Sequence, residues 1–74
     1  MITPVQSKMA RAAVGWSTRE LAERAGVGAT TVNRFEVEAR APIKATLLAI
    51  QRSLESAGVE FLDDDGVRFR QAAS

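Results

Sequence analysis

Apolar side chains recur along most of the chain at the spacing of amphipathic helices. The clearest stripe consists of Leu47, Ile50, Leu54 and Ala57. Residues three or four positions apart share one face of a helix. The stripe therefore predicts a long fourth helix that ends at Gly58. Its start is poorly marked, because Lys44 is a weak N-cap.

The first helix is marked at both of its ends. Thr3 is a suitable N-cap, Pro4 suits the first helical position because it lacks an N–H group, and Gln6 can complete a capping box. Gly15 suits the left-handed residue that closes a helix. The sequence predicts a helix from Pro4 to about Val14.

A second helix is predicted over 18–25, directly after the first. Ser17 and Glu20 have the spacing of a capping box, with Ser17 as the N-cap. Gly26 ends this helix in the same way that Gly15 ends the first. Trp16 is expected to pack at the seam between the two helices, and stacking on a nucleic acid is the alternative.

A third helix is predicted over 29–36, and it is too polar to be a core helix. Val32 and Phe35 share one face at i, i+3 spacing. The remaining faces carry Thr30, Thr31, Asn33 and Arg34. One side of this helix packs inward, and the other is open to a partner.

Beyond Gly58 the apolar period changes from about 3.6 to 2, which is typical of strands. The alternating apolar residues are Val59, Phe61, Val67 and Phe69. Between them, residues 63–66 have the sequence Asp-Asp-Asp-Gly, which suits a turn. The segment 59–70 is therefore predicted to be a β-hairpin, and 71–74 a frayed tail.

The acidic turn resembles a calcium loop only superficially. An EF-hand loop with its invariant glycine at Gly66 needs an oxygen ligand at 61 and a glutamate at 72. The chain has Phe61 and Ala72 at those positions. We expect no metal site and no cofactor.

Composition excludes several classes of protein. The 74 residues include no Cys, His or Tyr, so disulfides, thiolate zinc sites and imidazole catalysis are not available. We expect a non-enzymatic protein. No apolar run approaches the ~20 residues that span a bilayer, and no signal-peptide core is present, which predicts a cytoplasmic protein without membrane segments.

The net charge of +1 is unevenly distributed. Residues 1–54 hold eight basic and four acidic side chains, whereas residues 55–74 hold two basic and five acidic ones. A mild basic excess at the front of the chain permits nucleic-acid binding without requiring it.

Two short helices joined by a tight glycine turn, of which the second has a polar outer face, form a helix-turn-helix. Residues 15–22 (GWSTRELA) and 25–36 (AGVGATTVNRFE) resemble the Cro/CI-type, or XRE, family of phage and bacterial transcriptional regulators. The resemblance covers about residues 4–57. It implies a mainly α, four-helix lambda-repressor-like domain at 1–58, with the hairpin 59–70 as part of the same domain.

The resemblance also implies roles for individual residues. The base-contacting positions of the family fall on Ala29, Thr30, Asn33 and Arg34. Candidate phosphate contacts are Ser17 and Thr18, which match family positions, and the basic residues Arg19, Arg40 and Lys44 near the same face. An ordinary solvated charge is the alternative for Arg34.

An ion pair of the family, between the first helix and the end of the third, falls on Arg11 and Glu36. Two positions depart from the family pattern. Gly28 replaces the usual Ser or Thr cap of the third helix. The usual glycine after Glu36 is replaced by Val37-Glu38, so the path of the next loop is open.

The function implied is that of a sequence-specific double-stranded DNA-binding regulator of the repressor type, acting as a homodimer on an inverted repeat. One helix contacts only about four base pairs, and a dimer doubles the contact. The candidate interface is the hairpin with the adjoining fourth helix, at Leu48, Phe61, Leu62, Val67 and Phe69. The alternative is that Phe61 and Phe69 fold back onto their own helices. An antitoxin-like protein that binds a partner toxin and its own promoter is the second hypothesis.

Overall fold

The computed structural model of the protein describes residues 1–70, so the tail expected at 71–74 lies outside the described residues. The elements, in chain order, are α1 (Pro4–Val14), α2 (Thr18–Ala25), α3 (Ala29–Glu36), α4 (Lys44–Ser56), β1 (Val59–Phe61) and β2 (Val67–Phe69). The predicted mainly α fold of four helices with a C-terminal hairpin is confirmed.

The capping signals of α1 operate as the sequence predicts. Thr3 Oγ1 accepts a hydrogen bond from the backbone N–H of Gln6 at 3.2 Å, and Gln6 Oε1 accepts one from the Thr3 N–H at 3.0 Å. Gly15 closes the helix with a φ of 76°. Both ends of α1 are therefore decided by residues within one helical turn.

The capping box predicted for α2 forms only in part. Ser17 Oγ accepts from the Glu20 N–H at 3.1 Å, as expected of an N-cap. The Glu20 carboxylate, however, accepts from Arg24 Nη2 at 3.0 Å, one turn further along the helix. The prediction of a reciprocal bond from Glu20 is wrong, because an ion pair at i, i+4 uses the same carboxylate.

The other two helices start without a side-chain cap. Neither Gly28 before α3 nor Ile43 before α4 makes a capping hydrogen bond. Lys44 is the first residue of α4 rather than its N-cap, which corrects the expectation from the sequence. Packing therefore determines where α4 begins, since no local capping signal marks its start.

The core lies where α2 packs against α3 and α4, while α1 and the hairpin close it from the other side. The buried apolar residues are Ile2, Ala10, Leu21, Ala22, Val32, Phe35, Ile50, Leu54 and Val59. Each helix and the first strand contributes to this set. The apolar stripes seen in the sequence thus meet in a single core.

The hairpin directs one of its faces toward the core. Val59 pairs with Phe69, and Phe61 pairs with Val67, so these four side chains share a face. Val59 is buried, Phe61 and Val67 pack against the core, and Phe69 keeps 38% of its surface exposed. Of the two aromatic residues expected either to meet a second copy or to fold back, Phe61 thus packs on its own core, whereas Phe69 stays partly exposed.

Gln6 joins the hairpin to α1. Its side chain is buried, and Nε2 donates to the carbonyl oxygens of Leu62 at 2.9 Å and Gly66 at 3.0 Å. These carbonyls belong to the turn between the strands. A single carboxamide therefore fixes the turn against the start of α1, and the hairpin is packed as part of the helical domain.

Candidate nucleic-acid interface

α3 has a buried side and an exposed side. Val32 and Phe35 are buried in the core, whereas Thr30, Asn33 and Arg34 are exposed. Ala29 differs from the other predicted base-contacting residues, because it is half-buried and packs partly against the core. Three of the four therefore share an open surface.

No carboxylate lies on the exposed side of α3. The one acidic residue of this helix is Glu36, which is buried and engaged by α1. The open side therefore presents one guanidinium, one carboxamide and one hydroxyl, from Arg34, Asn33 and Thr30. These are the groups that form hydrogen bonds with base edges in the major groove of DNA.

A groove of about 390 Å³ runs between α3 and the loop that precedes α4. Its lining residues are Thr30, Thr31, Arg34, Arg40, Ala41, Pro42, Ile43 and Thr46. The groove thus places two guanidinium groups and three hydroxyl groups around one concave surface, without an acidic lining residue. Sequence patterns gave no indication of Thr46, because its proximity to α3 depends on how the loop folds.

The loop after α3 folds back onto that helix. Glu38 has a φ of 61°, the left-handed conformation that glycine adopts most easily. The N–H groups of Ala39 and Arg40 then donate to the carbonyl oxygen of Arg34 at 2.8 and 3.3 Å. The loop therefore makes a left-handed turn at a glutamate, and this turn places Arg40 beside α3.

The candidate phosphate-contacting residues lie at the starts of α2 and α4 and in the loop between α3 and α4. Ser17 caps α2, Thr18 follows it half-buried, and Lys44 is exposed in the first turn of α4. Arg19 Nε lies 3.8 Å from Glu23 in a highly exposed pair. Within residues 1–70, no carboxylate lies within 4.0 Å of the side-chain nitrogens of Arg34, Arg40 or Lys44. These three cations are available to an anionic partner.

A buried polar junction holds α3 against α1. Arg11 Nη2 lies 2.6 Å from Glu36 Oε1, and Arg11 Nε lies 2.8 Å from Oε2. Ser7 Oγ donates to the same Oε2 at 2.6 Å, and Arg11 Nη1 donates to the Trp16 carbonyl at 3.1 Å. Hydrogen bonding to Glu36 raises the pKa of the Arg11 guanidinium, so Arg11 stays positively charged throughout the neutral range.

Trp16 lies at the junction of α1 and α2 and is half-buried against the core. The guanidinium carbon of Arg24 sits 4.5 Å from the centroid of its ring, in a cation–π contact. Its packing against the core and its contact with Arg24 both favour a packing role for Trp16 over stacking on a nucleic acid.

Two other kinds of site have no support within residues 1–70. No group of three or more acidic, His or Cys side chains is arranged to hold a metal ion there, including in the acidic turn. In the same part of the chain, no helix combines the length and apolar character needed to cross a membrane.

A comparison with known protein families covers the helices that form this interface. A family model described as helix-turn-helix matches residues 8–60. The match begins within α1, contains α2, α3 and α4 completely, and ends in β1. No curated protein matches the chain.

Proposed function

The chain belongs to the Cro/CI-type helix-turn-helix family of DNA-binding transcription regulators, and we propose that it is a repressor that binds an inverted repeat as a homodimer. The observation that carries the proposal is the exposed, carboxylate-free side of α3. Thr30, Asn33 and Arg34 extend from it, while Glu36 at its end is engaged by α1. Such a helix can enter the major groove with donors directed at the bases.

Each exposed side chain of α3 has a distinct chemical match in DNA. The Arg34 guanidinium can donate two parallel hydrogen bonds to O6 and N7 of guanine, and the Asn33 carboxamide can pair with adenine. The methyl groups of Thr30 and Ala29 can contact a thymine methyl group. In this arrangement Arg34 contributes most to sequence preference.

Phosphate contacts would surround this helix and set its position. Ser17, Thr18 and Arg19 lie at the start of α2, whereas Arg40 lies in the loop after α3 and Lys44 at the start of α4. Contacts to phosphates fix the register of a protein on the duplex and carry no direct sequence information. We assign these five residues a positioning role on DNA. The proposed location of the protein is the cytoplasm.

For the dimer, we propose a contact through the hairpin and the adjoining part of α4. Phe69 is partly exposed, and Leu48 and Leu62 are half-buried, so each keeps apolar surface that a second copy can cover. Phe61 and Val67 contribute less, because they pack against their own core. A two-stranded hairpin also has open edges, where a second copy can pair its backbone.

The function is tested by selecting bound sequences from a pool of random duplexes and measuring their affinity by fluorescence anisotropy. We expect an inverted repeat whose half-sites are about one DNA turn apart. Light scattering of the full chain on that duplex is expected to show two copies, and Phe69→Asp to weaken the dimer. Equal affinity for selected and scrambled duplexes contradicts the proposal, and a single copy on the duplex contradicts the dimer.

An antitoxin-like function is the second candidate, and one observation favours it. Val5 and Met9 are 48% and 37% exposed on α1, one turn apart on the same face. An exposed apolar strip of this kind fits a protein partner. Co-expression with the product of an adjacent gene, followed by purification, tests this function. A stable complex that Met9→Asp disrupts would support it, and separate elution of the two proteins would contradict it.

A further inference from the structure

The fully buried hydroxyl of Ser7 makes a hydrogen bond to the last residue of α3. Ser7 Oγ donates to Glu36 Oε2 at 2.6 Å, across 29 residues of chain. We propose that Ser7 is a positioning residue for DNA recognition: by fixing the Glu36 carboxylate, it holds α3 at the angle at which Arg34 reaches a base. The inference rests on the proposed function, because it assigns Arg34 the main role in sequence preference.

Arg11 alone holds the carboxylate less firmly. Its guanidinium forms a fork with Glu36, but it lies at the end of a long side chain that is 20% exposed. Several rotatable bonds separate this guanidinium from the α1 backbone, although Nη1 also donates to the Trp16 carbonyl. Ser7 lies one turn earlier on α1, and its hydroxyl is one bond from Cβ. Its hydrogen bond therefore ties the carboxylate closely to the α1 backbone.

α3 has few other directional anchors. It is eight residues long, its N-cap Gly28 makes no side-chain hydrogen bond, and its C-cap is Val37 rather than glycine. Val32 and Phe35 hold it by apolar packing, which is strong but non-directional. Hydrogen bonds to Glu36 restrict both distance and angle.

The anchored and the exposed side chains are linked by helix geometry. Arg34 and Glu36 are two positions apart, which corresponds to a rotation of about 200° around the helix. When Glu36 is held inward, Arg34 must extend outward. A small rotation of α3 would displace the guanidinium from its base, and two parallel hydrogen bonds tolerate little displacement.

Ser7 could instead only stabilise the fold, and sequence preference separates the two roles. Preference is the ratio of the Kd for a scrambled duplex to the Kd for the selected duplex, measured by anisotropy at a temperature where each variant is folded. Ser7→Ala removes the hydroxyl. Ala10→Gly is the control, because it weakens the same helix at another buried position without removing a side-chain hydrogen bond.

We expect Ser7→Ala to lower the preference by about fivefold or more, and Ala10→Gly to leave it as in the parent chain. In an Arg34→Ala background, Ser7→Ala should have no further effect on preference, because it acts through Arg34. Unchanged preference in Ser7→Ala, or equal effects with and without Arg34, overturns the inference. A parent chain without any preference contradicts the proposed function itself.

A second pair of variants decides the question if Ser7→Ala does not fold. Threonine and valine have nearly the same shape and differ in the hydroxyl group. Ser7→Thr keeps a donor for Glu36 and is expected to retain preference, whereas Ser7→Val is expected to lose it. Equal preference in these two variants overturns the positioning role.

Discussion

The guanidinium of Arg11 meets the carboxylate of Glu36 at 2.6 Å, joining two residues that are 25 positions apart in the chain. The Glu36 side chain is only 4% exposed, so its charge lies in a region of low dielectric. A buried carboxylate needs a partner there, since isolated charges are costly to remove from water.

Arg11→Ala is therefore expected to lower the free energy of unfolding by about 3–5 kcal/mol, because it leaves the Glu36 carboxylate without its charged partner. Urea unfolding followed by circular dichroism measures the change. Arg68→Ala is the matched control: its pair with Glu60 is more than half exposed, and a change of less than about 1 kcal/mol is expected. Equal effects of the two substitutions would show that burial of the Arg11 pair does not matter.

Arg34→Ala is expected to weaken binding to the selected duplex by about 1–3 kcal/mol and to relax the base preference at one position in each half-site. Its side chain is exposed, so the free energy of unfolding should not change. Anisotropy titrations with duplexes substituted at single base pairs measure both effects. Arg52→Ala removes the same charge from an exposed position outside the groove. A base preference that is unchanged in Arg34→Ala contradicts base contact.

Lys44→Ala is expected to weaken binding to all duplexes by a similar factor and to reduce the slope of log Kd against log salt by about one. Thr18→Ala should also weaken binding uniformly, but it should leave the salt slope unchanged because no charge is lost. Lys8→Ala, on the exposed side of α1, serves as the control for loss of a lysine. A new preferred sequence in Lys44→Ala or Thr18→Ala would contradict a positioning role.

Glu38→Gly is expected to raise the free energy of unfolding by about 0.5–1 kcal/mol, because glycine adopts the left-handed conformation of position 38 without steric cost. Glu38→Ala keeps the Cβ atom and removes the rest of the side chain together with its charge, so it should give no such gain. Urea unfolding of both variants separates the effect of backbone strain from the effect of losing the side chain beyond Cβ. Equal stability of the two would show that strain at this position is negligible.

Gly58→Ala is expected to destabilise the protein by about 2–4 kcal/mol, since a Cβ atom there would collide with the carbonyl oxygen of Arg70 at an unfavourable φ of 104°. Gly15→Ala is the control: its φ of 76° is also positive, but a Cβ atom would meet nothing within 4 Å. We expect this control to cost about 1–2 kcal/mol. Thermal unfolding compares the two, and a smaller loss at position 58 would argue against the close contact with Arg70.

Elements whose signals are local could be predicted from the sequence alone. Thr3 and Gly15 mark the two ends of α1, because a capping residue bonds to amides or carbonyls within one turn. The polar side of α3 followed from helical spacing alone, which also separates Arg34 from Phe35. The change of period after Gly58 predicted the hairpin for the same reason.

Where a side chain has several possible partners, the folded structure shows which one it uses. Glu20 could close a capping box or pair with Arg24, and the folded chain uses the ion pair. Phe61 could face a second copy or its own helices, and it packs on the core. Such choices depend on the relative free energies of alternative contacts, and the spacing of residues along the chain does not show which contact is more stable.

The candidate site likewise combines residues that the sequence predicts with a groove that only the folded structure reveals. Helical spacing was sufficient to identify Thr30, Asn33 and Arg34 as exposed. The groove that brings Thr46 near them depends on the left-handed turn at Glu38. The contacts of Gln6 and Ser7 join residues 29–60 positions apart, and only the assembled core brings those partners together, because no pattern within a helical turn specifies a partner at that separation.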